Sequence, residues 1–439
     1  MKEAILNSIR MNHGTERSVT ALRPHTRNAR THSKRQIEQI AESIKRFGFT
    51  NPVLVDAEDR IIAGHGRVAA AKELGLSRVP VIAIEGMSEA ERRAYILADN
   101  RLAELAGWDD DLLRLELGDI LALDPDFDLA LTGFEGAALE GLLDVKGIGE
   151  EADAAAAIDE TIPVVTRSGD LWLLGNHRLI CGDARDAKVY TRLMAGERAQ
   201  MIFTDPPYNV RIDGHVCGLG KVKHAEFAMA SGEMSGEEFT AFLRDVMVRL
   251  AEASGDGSIH FLCMDWRHMR EMMDAADDVY SELKQLIVWN KDNGGMGSFY
   301  RSKHELIFAF KKGSAAHINN FGLGQHGRYR TNVWDYAGIS SMSANRNEEL
   351  AMHPTVKPVA LVADAIRDCS KRNGIVLDAF SGSGTTIIAA EQTGRKARAI
   401  ELDPRYVDVA VRRWEKETGK PAMLEGSDMR FADMEELVA

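Results

Sequence analysis

Cysteine is sparse in this 439-residue chain: Cys181, Cys217, Cys263 and Cys369 stand far apart, with no CxxC pair. Such spacing offers neither a zinc knuckle nor a disulfide framework, and it fits a reducing cytoplasm. No metal is expected. There is no run of about 18 apolar residues, so a membrane-spanning helix is not expected. The opening Met1-Lys2-Glu3-Ala4-Ile5-Leu6 lacks the charged-then-apolar layout of a secretory signal. No internal repeat is found. Positive charge is also short, with a formal net charge of −13. The deficit is local: residues 1–50 carry +6, residues 51–160 carry −16 and residues 161–439 carry −3. A near-neutral region can still hold a basic cleft, so the total neither supports nor excludes a nucleic-acid partner.

What is present divides into three stretches. In residues 1–104 a basic arm runs to about residue 34, with at most a short strand around Val19–Leu22. Apolar Ile37, Ile40, Ile44 and Phe47 recur at helical spacing, predicting a helix over 36–47 that Gly48 ends. Pro52–Val55, Ile61–Ala63 and Val79–Ile84 read as short strands, and Gly64-His65-Gly66-Arg67 opens an Ala-rich helix. Together they make a small α+β unit. Residues 105–160 form an acidic helical connector and an Ala-rich linker. From residue 161 strands and helices alternate, predicting an α/β, Rossmann-like domain over 161–439 with a mostly parallel, doubly wound sheet.

The strongest local signal is Asp205-Pro206-Pro207-Tyr208, directly after the apolar run Met201–Thr204. In open α/β sheets the ligand site lies at the carboxyl ends of strands. Two prolines stiffen the loop and bring no N–H donors of their own. A carboxylate, a carbonyl and an aromatic face are thereby held together. A base amino group needs all three, because its lone pair is delocalised into the ring. Acceptors at Asp205 and the Pro206 carbonyl draw its N–H bonds out of plane, and Tyr208 stacks on the base. The bland reading is a rigid turn capped by Asp205.

A second constellation is Asp378-Ala379-Phe380-Ser381-Gly382-Ser383-Gly384-Thr385-Thr386, between a strand and a helix. Glycines there let backbone approach a ligand, and the threonines suit a helix start. It lacks the third glycine of a dinucleotide fingerprint and the Lys of a Walker loop. Glu401 ends the next strand, where a carboxylate reaches ribose hydroxyls. The alternative is a structural glycine turn. His353-Pro354-Thr355-Val356-Lys357-Pro358 precedes this strand, and by itself is only a loop with a helix-entry proline.

Together these segments resemble the DNA amino-methyltransferases, over about residues 161–420. The DPPY tetrad, FSGSGTT with its leading Asp378, HPTVKP and Ile400–Pro404 carry the resemblance. Their order resembles the beta group of that family. The resemblance implies S-adenosylmethionine as cofactor and double-stranded DNA as substrate. It also implies that Asp378, Phe380, Gly382 and Gly384 line the methionine part, that Ser381, Ser383 and Thr385 of the same loop bind the cofactor, that Glu401 takes the ribose and that Asp183 meets the adenine edge. Thr355 and Lys357 would close over the methionine end. The segments Trp289–Lys291 and Tyr300–Glu305 would lie near the pocket for a flipped base. Val210–Ser235 and Gly313–Met352 would meet DNA, with a recognition insertion at about 312–352. Asp at the head of the tetrad points to adenine N6, with cytosine N4 as the alternative. An RNA or protein-glutamine methylase shares similar tetrads.

Residues 15–104 resemble the ParB-like fold, on Leu22-Arg23-Pro24, Asn28-Ala29-Arg30, Pro52–Val55 and Ile62–Ala71. The resemblance implies a cytidine-nucleotide site at Gly64, Gly66 and Arg67, although Val68 stands where that family commonly has a second arginine. The other reading is a DNA-docking module or one that forms a homodimer. Arg17, Arg23, Arg27, Arg30, Lys34 and Arg35 would contact DNA by charge. Similar fusions are phage-associated. A rival reading of the whole chain is a nucleotide-gated DNA-binding protein whose methylase domain is inactive.

Overall fold

The computed structural model describes residues 15–26, 28–124, 127–143, 158, 161–209, 232–292, 294, 299–321, 330–338 and 356–438. The chain divides into two compact units, Met1–Glu135 and Gly136–Ala439.

The first unit is built on a four-stranded sheet of β1 (Thr15–Ser18), β2 (Val53–Val55), β3 (Ile61–Ala63) and β4 (Arg78–Ala83), in the order β1-β4-β2-β3. The first strand lies just before the expected Val19–Leu22. Thr15–Ser18 pairs antiparallel with Arg78–Val81, and the chain then turns, with Ala21 N–H donating to the Ser18 carbonyl. Val19 and Leu22 flank that turn and are both buried, so they anchor the core rather than alternate along a strand. The helix Lys34–Phe47 forms as its spacing predicts. Ser33 caps it by accepting from Gln36 N–H, and Gly48 ends it at φ +81°. A helix at Glu89–Glu104 was not legible from apolar spacing, because Ile96 is its one buried residue. A reciprocal Ser88–Glu91 capping box starts it.

Among the described residues the second unit holds ten strands: β5 (Leu171–Leu174), β6 (His177–Cys181), β7 (Ala199–Thr204), β8 (Ser254–Met264), β9 (Glu282–Asn290), β10 (His304–Lys311), β11 (Val333–Asp335), β12 (Ile375–Asp378), β13 (Lys396–Glu401) and β14 (Met423–Leu424). Their order is β11-β9-β10-β8-β7-β12-β13-β6-β5-β14. The centre, β8-β7-β12-β13-β6, is parallel throughout, and antiparallel pairings flank it on both sides. Strand alternation splits the core in two. Met201, Phe203 and Val376 face one apolar layer, with the helices Val359–Cys369, Thr385–Thr393 and Pro404–Thr418; Ile202, Ile375 and Leu377 face the other, with Ala187–Met194, Gly236–Ala253 and Met269–Ala276. From β7 the chain steps to β8 on one side, and from β12 it steps to β13 on the other. The sheet therefore reverses its winding between β7 and β12, and a crevice opens at their carboxyl ends.

Candidate active site

That crevice brings the two loops together, although they are distant in the chain. Thr204 ends β7 and donates its hydroxyl to Asp378 Oδ1, 2.8 Å away at the end of β12. The same hydroxyl accepts from Ala379 N–H at 3.1 Å. On the β7 side, Tyr208 Oη donates to Asp205 Oδ1 at 2.6 Å and Lys357 Nζ donates to Asp205 Oδ2 at 2.5 Å. The Lys357 ammonium is buried and lies 3.0 Å from Glu305 Oε2. It also sits over the Tyr208 and Trp289 rings, at 5.5 and 5.8 Å from their centroids. Lys291 holds Glu305 from the other side through Oε1. Burial raises Asp205 above the usual carboxylate range, against the pull of Lys357. Burial would raise Glu305 as well, but Lys357 and Lys291 together bring it down to about 2. The two carboxylates hold Lys357 firmly charged despite its burial. Pro206 is buried and Pro207 half-buried beside them.

The tetrad's exit is fixed by Asn209, a residue that sequence reasoning passed over. It adopts φ +51°, donates Nδ2–H to the Met234 carbonyl at 2.8 Å, and accepts from Gly232 and Met234 N–H. Asn is among the few side chains that tolerate this conformation.

The glycine-rich loop is organised from within. Asp378 accepts from Thr204, from Phe380 N–H at 3.0 Å and from Thr386 Oγ1 at 2.6 Å; burial nevertheless raises it to about 6. Its oxygens therefore hold the loop in shape. Ser383 and Thr385 turn toward the buried Arg413, which donates to the Ser383 carbonyl and to Thr385 Oγ1. Gly384 begins the helix Thr385–Thr393 at φ +83°, and a Cβ there would stand 2.8 Å from Ala410 Cβ. Gly382, at φ +51°, faces open space. Glu401 Oε2 accepts from Gly382 N–H at 2.8 Å and Oε1 from Asp403 N–H at 2.9 Å, while burial raises this carboxyl to about 7. Ser381 Oγ is buried and has no hydrogen-bond partner among the described residues. An orphaned hydroxyl, an empty space above Gly382 and a carboxylate at the strand end suit a polar ligand that carries hydroxyls.

Asp183 follows β6, next to β13, and Gly182 N–H donates to the Glu401 carbonyl at 2.8 Å. Its carboxylate pairs with Arg185 at 2.7 Å, and that hydrogen bond lowers its pKa. Arg185 lies over Phe242, whose ring is 6.1 Å from Phe380. Asp183, Phe380 and Glu401 thus stand around neighbouring strand ends. Lys357, expected at the cofactor's methionine end, places its ammonium on Asp205 and Glu305. Thr355 lies outside the described residues, as do Arg27 and the segments 210–231, 322–329 and 339–355. Within the segment Gly313–Met352, expected to meet DNA, Arg330 has its guanidinium mostly buried and paired with Asp368 at 2.9 Å and Asp364 at 3.3 Å.

In the first unit Gly64 takes φ +103° before the helix His65–Glu73, and Gly66 packs against Ile40 and His32. Arg67 folds back over Gly64 and donates to the Asn51 carbonyl at 3.0 Å. Part of the expected basic footprint is neutralised locally, since Arg17 pairs with Asp59, Arg30 with Glu104, Lys34 with Glu38 and Arg35 with Glu135. Among the described residues no group of three or more His, Cys, Asp or Glu is placed to hold a metal ion, and no helix is long and apolar enough to cross a membrane.

A ligand crevice at the winding reversal, with DPPY on one lip and a glycine loop on the other, defines a Rossmann-like methyltransferase fold. Residues 199–412 match the DNA methylase family model, residues 6–101 the ParB N-terminal domain, and residues 111–168 a ParB-methyltransferase HTH domain. The chain therefore carries an N6/N4 DNA methylase domain and, ahead of it, an N-terminal ParB domain. It is similar to the ParB-like nuclease domain-containing protein YnaK of Escherichia coli (strain K12), 51% identical over 77 residues, which span 18% of this chain and 88% of YnaK. It is also similar to the DNA adenine methyltransferase YhdJ of the same organism, 26% identical over 254 residues, covering 52% of this chain and 80% of YhdJ. Among solved structures, the cytosine-N4-specific PvuII DNA methyltransferase aligns over 60% of this chain and 93% of its own, at 15% identity and a TM-score of 0.42.

Proposed function

We propose that this DNA methyltransferase transfers a methyl group from S-adenosylmethionine to the N6 amino group of adenine in DNA. The reading rests chiefly on one observation: Thr204 and Asp378 lock the tetrad and the glycine loop into a single crevice. S-adenosylmethionine, when bound, supplies an electrophilic sulfonium methyl. The loop residues Phe380–Gly384 would cradle it, with Glu401 on its ribose hydroxyls and Asp183 toward its adenine. Asp205 is steadied by Tyr208 and Lys357 and keeps lone pairs free to accept an N–H from the base. The Pro206 carbonyl would take the second N–H, and Tyr208 would stack on the extruded ring. This chain's contribution is positioning and fixed electrostatics, with no covalent intermediate on the protein.

The resemblance to YhdJ and the acidic head of the tetrad favour adenine. The ParB-like unit would dock or dimerise the enzyme on DNA, and Arg67's hydrogen bond to the Asn51 carbonyl favours that role over nucleotide binding. The test is methylation of unmodified genomic DNA followed by mass spectrometry of the nucleosides. N6-methyladenine is expected, and Asp205→Ala should remove it nearly completely. N4-methylcytosine would replace the substrate in this reading, and activity retained by Asp205→Ala would remove Asp205 from its role.

A further inference from the structure

Two carboxylates and two ammonium groups meet at the tetrad, and their connections are unequal. Lys357 is shared between Asp205 at 2.5 Å and Glu305 at 3.0 Å. Glu305 is shared between Lys357 and Lys291. Tyr208 Oη donates to Asp205 and also lies 3.3 Å from Glu305. The order is therefore Asp205–Lys357–Glu305–Lys291, a linear chain of alternating charge with Asp205 at its end. Glu305 sits on β10, opposite Trp289 of β9. Both strands are firmly paired, so its carboxylate is delivered by rigid sheet rather than by a loop.

Methyl transfer has a proton to place. One N–C bond forms, the donor's S–C bond breaks with its electron pair left on sulfur, and the amino nitrogen then sheds one proton. Asp205 is the acceptor at hand. An ammonium bound only to Asp205 would make it a weak acceptor, because a cation at hydrogen-bond distance stabilises the ionised carboxylate. With Lys357 shared, much of that attraction is spent on Glu305, and the negative charge of Glu305 itself makes Asp205 more proton-hungry.

We infer that Glu305 is a positioning residue for methyl transfer: by drawing Lys357 toward itself it keeps Asp205 basic enough to receive the proton released by the base amino group. This deepens the adenine-N6 reading and rests on it. Lys291 sets the strength of the device from the far side. A cation there satisfies part of Glu305 and so returns part of Lys357 to Asp205.

The groups facing Asp205 are Lys357, Glu305 from β10, Tyr208 from its own loop, Cys263 from β8 and Asp378 from β12. Of these, Glu305→Gln alters Glu305 itself and, through it, Lys357. The experiment is single-turnover methyl transfer by the full-length protein on unmodified genomic DNA, at saturating S-adenosylmethionine, as a function of pH. The rate should rise with pH as Asp205 ionises. Glu305→Gln should lower the plateau rate about ten-fold and move the acid limb down by about one pH unit. Cofactor affinity should stay unchanged, and Glu305→Asp should recover part of the rate. Lys291→Met should move the limb the opposite way, to higher pH. Opposite displacements are a signature that loss of packing would not give, and Lys291→Met provides the test if Glu305→Gln folds poorly. If both variants keep the wild-type limb and plateau, or both shift it the same way, the inference falls. An active wild type with an inactive Asp205→Ala would leave the function standing in that case. A wild type that transfers no methyl group overturns both.

Discussion

Thr204 and Asp378 are bonded at 2.8 Å across neighbouring parallel strands, and that contact couples the two lips of the crevice. The Thr204 hydroxyl is used twice, donating to the carboxylate and accepting from Ala379 N–H. Removing it strands a buried N–H and deprives Asp378 of one of its donors, a loss of about 2 kcal/mol. Thr204→Val should therefore lower stability by that order and weaken both cofactor and DNA binding, while Thr204→Ser keeps them. Thermal melting with calorimetric titration of S-adenosylmethionine checks this. Wild-type values in Thr204→Val would show that the lips are held by other means.

Gly382 and Gly384 are both left-handed, yet alanine should damage them differently. At Gly384 an added methyl meets Ala410 in the helix Pro404–Thr418, so overpacking adds to backbone strain. At Gly382 it projects into open space, where the cofactor would lie. Gly384→Ala is expected to cost about 3 kcal/mol of folding stability. Gly382→Ala should cost only about 1 kcal/mol yet abolish detectable cofactor binding. Denaturant titration and calorimetry together separate the two. Equal stability losses would mean that neither space is as the structure shows.

The central sheet was legible because its strands are buried on both faces and read as short apolar runs, such as Met201–Thr204 and Ile375–Leu377. DPPY and the glycine loop were legible because their chemistry is local in sequence. Their meeting point was not, because strand adjacency of β7 and β12 is set by the winding of the sheet. Elements with little apolar signal were missed for a plain reason: the helix Glu89–Glu104 buries only Ile96, and β14 is two residues long. Among site residues, the roles of Glu305, Lys291, Asn209 and Arg413 come from side chains converging from distant strands and helices. Lys357 was expected at the cofactor's methionine end from the family resemblance; its contacts with Asp205 and Glu305 depend on strand adjacency and could not be read from the sequence.

Glu401 and Asp378 make the crevice pH-sensitive. Burial raises Glu401 to about 7 and Asp378 to about 6. Both hold protons more tightly folded than unfolded, so their contribution to stability is complete below the ordinary carboxylate range. It is lost as pH rises through those two values. The ionised Glu401 is the form that accepts ribose hydroxyls, so cofactor affinity should move the other way, rising about ten-fold as pH climbs through about 7. Glu401→Gln should flatten that dependence and lower affinity at alkaline pH. Calorimetric titration of S-adenosylmethionine across the neutral range is the measurement. An affinity independent of pH in the wild type would take the ribose contact away from Glu401.

Glu140 and Arg395 form a buried ion pair that joins the short helix Gly136–Leu142 to the start of β13. Arg395 donates Nη2–H to Glu140 Oε1 at 2.6 Å and Nη1–H to Oε2 at 3.3 Å. Its remaining donors are taken by the Ser370 and Thr393 carbonyls and by Ser370 Oγ. Both side chains are almost wholly removed from water, with 6% and 0% exposure, so the guanidinium depends on this one carboxylate for its charge balance. Glu140→Ala should destabilise the second unit by about 3–5 kcal/mol, because it leaves an uncompensated buried cation. The double substitution Glu140→Leu with Arg395→Met removes the stranded charge along with the pair, and should recover most of the loss. Urea denaturation followed by tryptophan fluorescence measures both. If the double variant is as unstable as Glu140→Ala, the hydrogen bonds from Arg395 to the Ser370 and Thr393 carbonyls carry the stability and the ion pair does not.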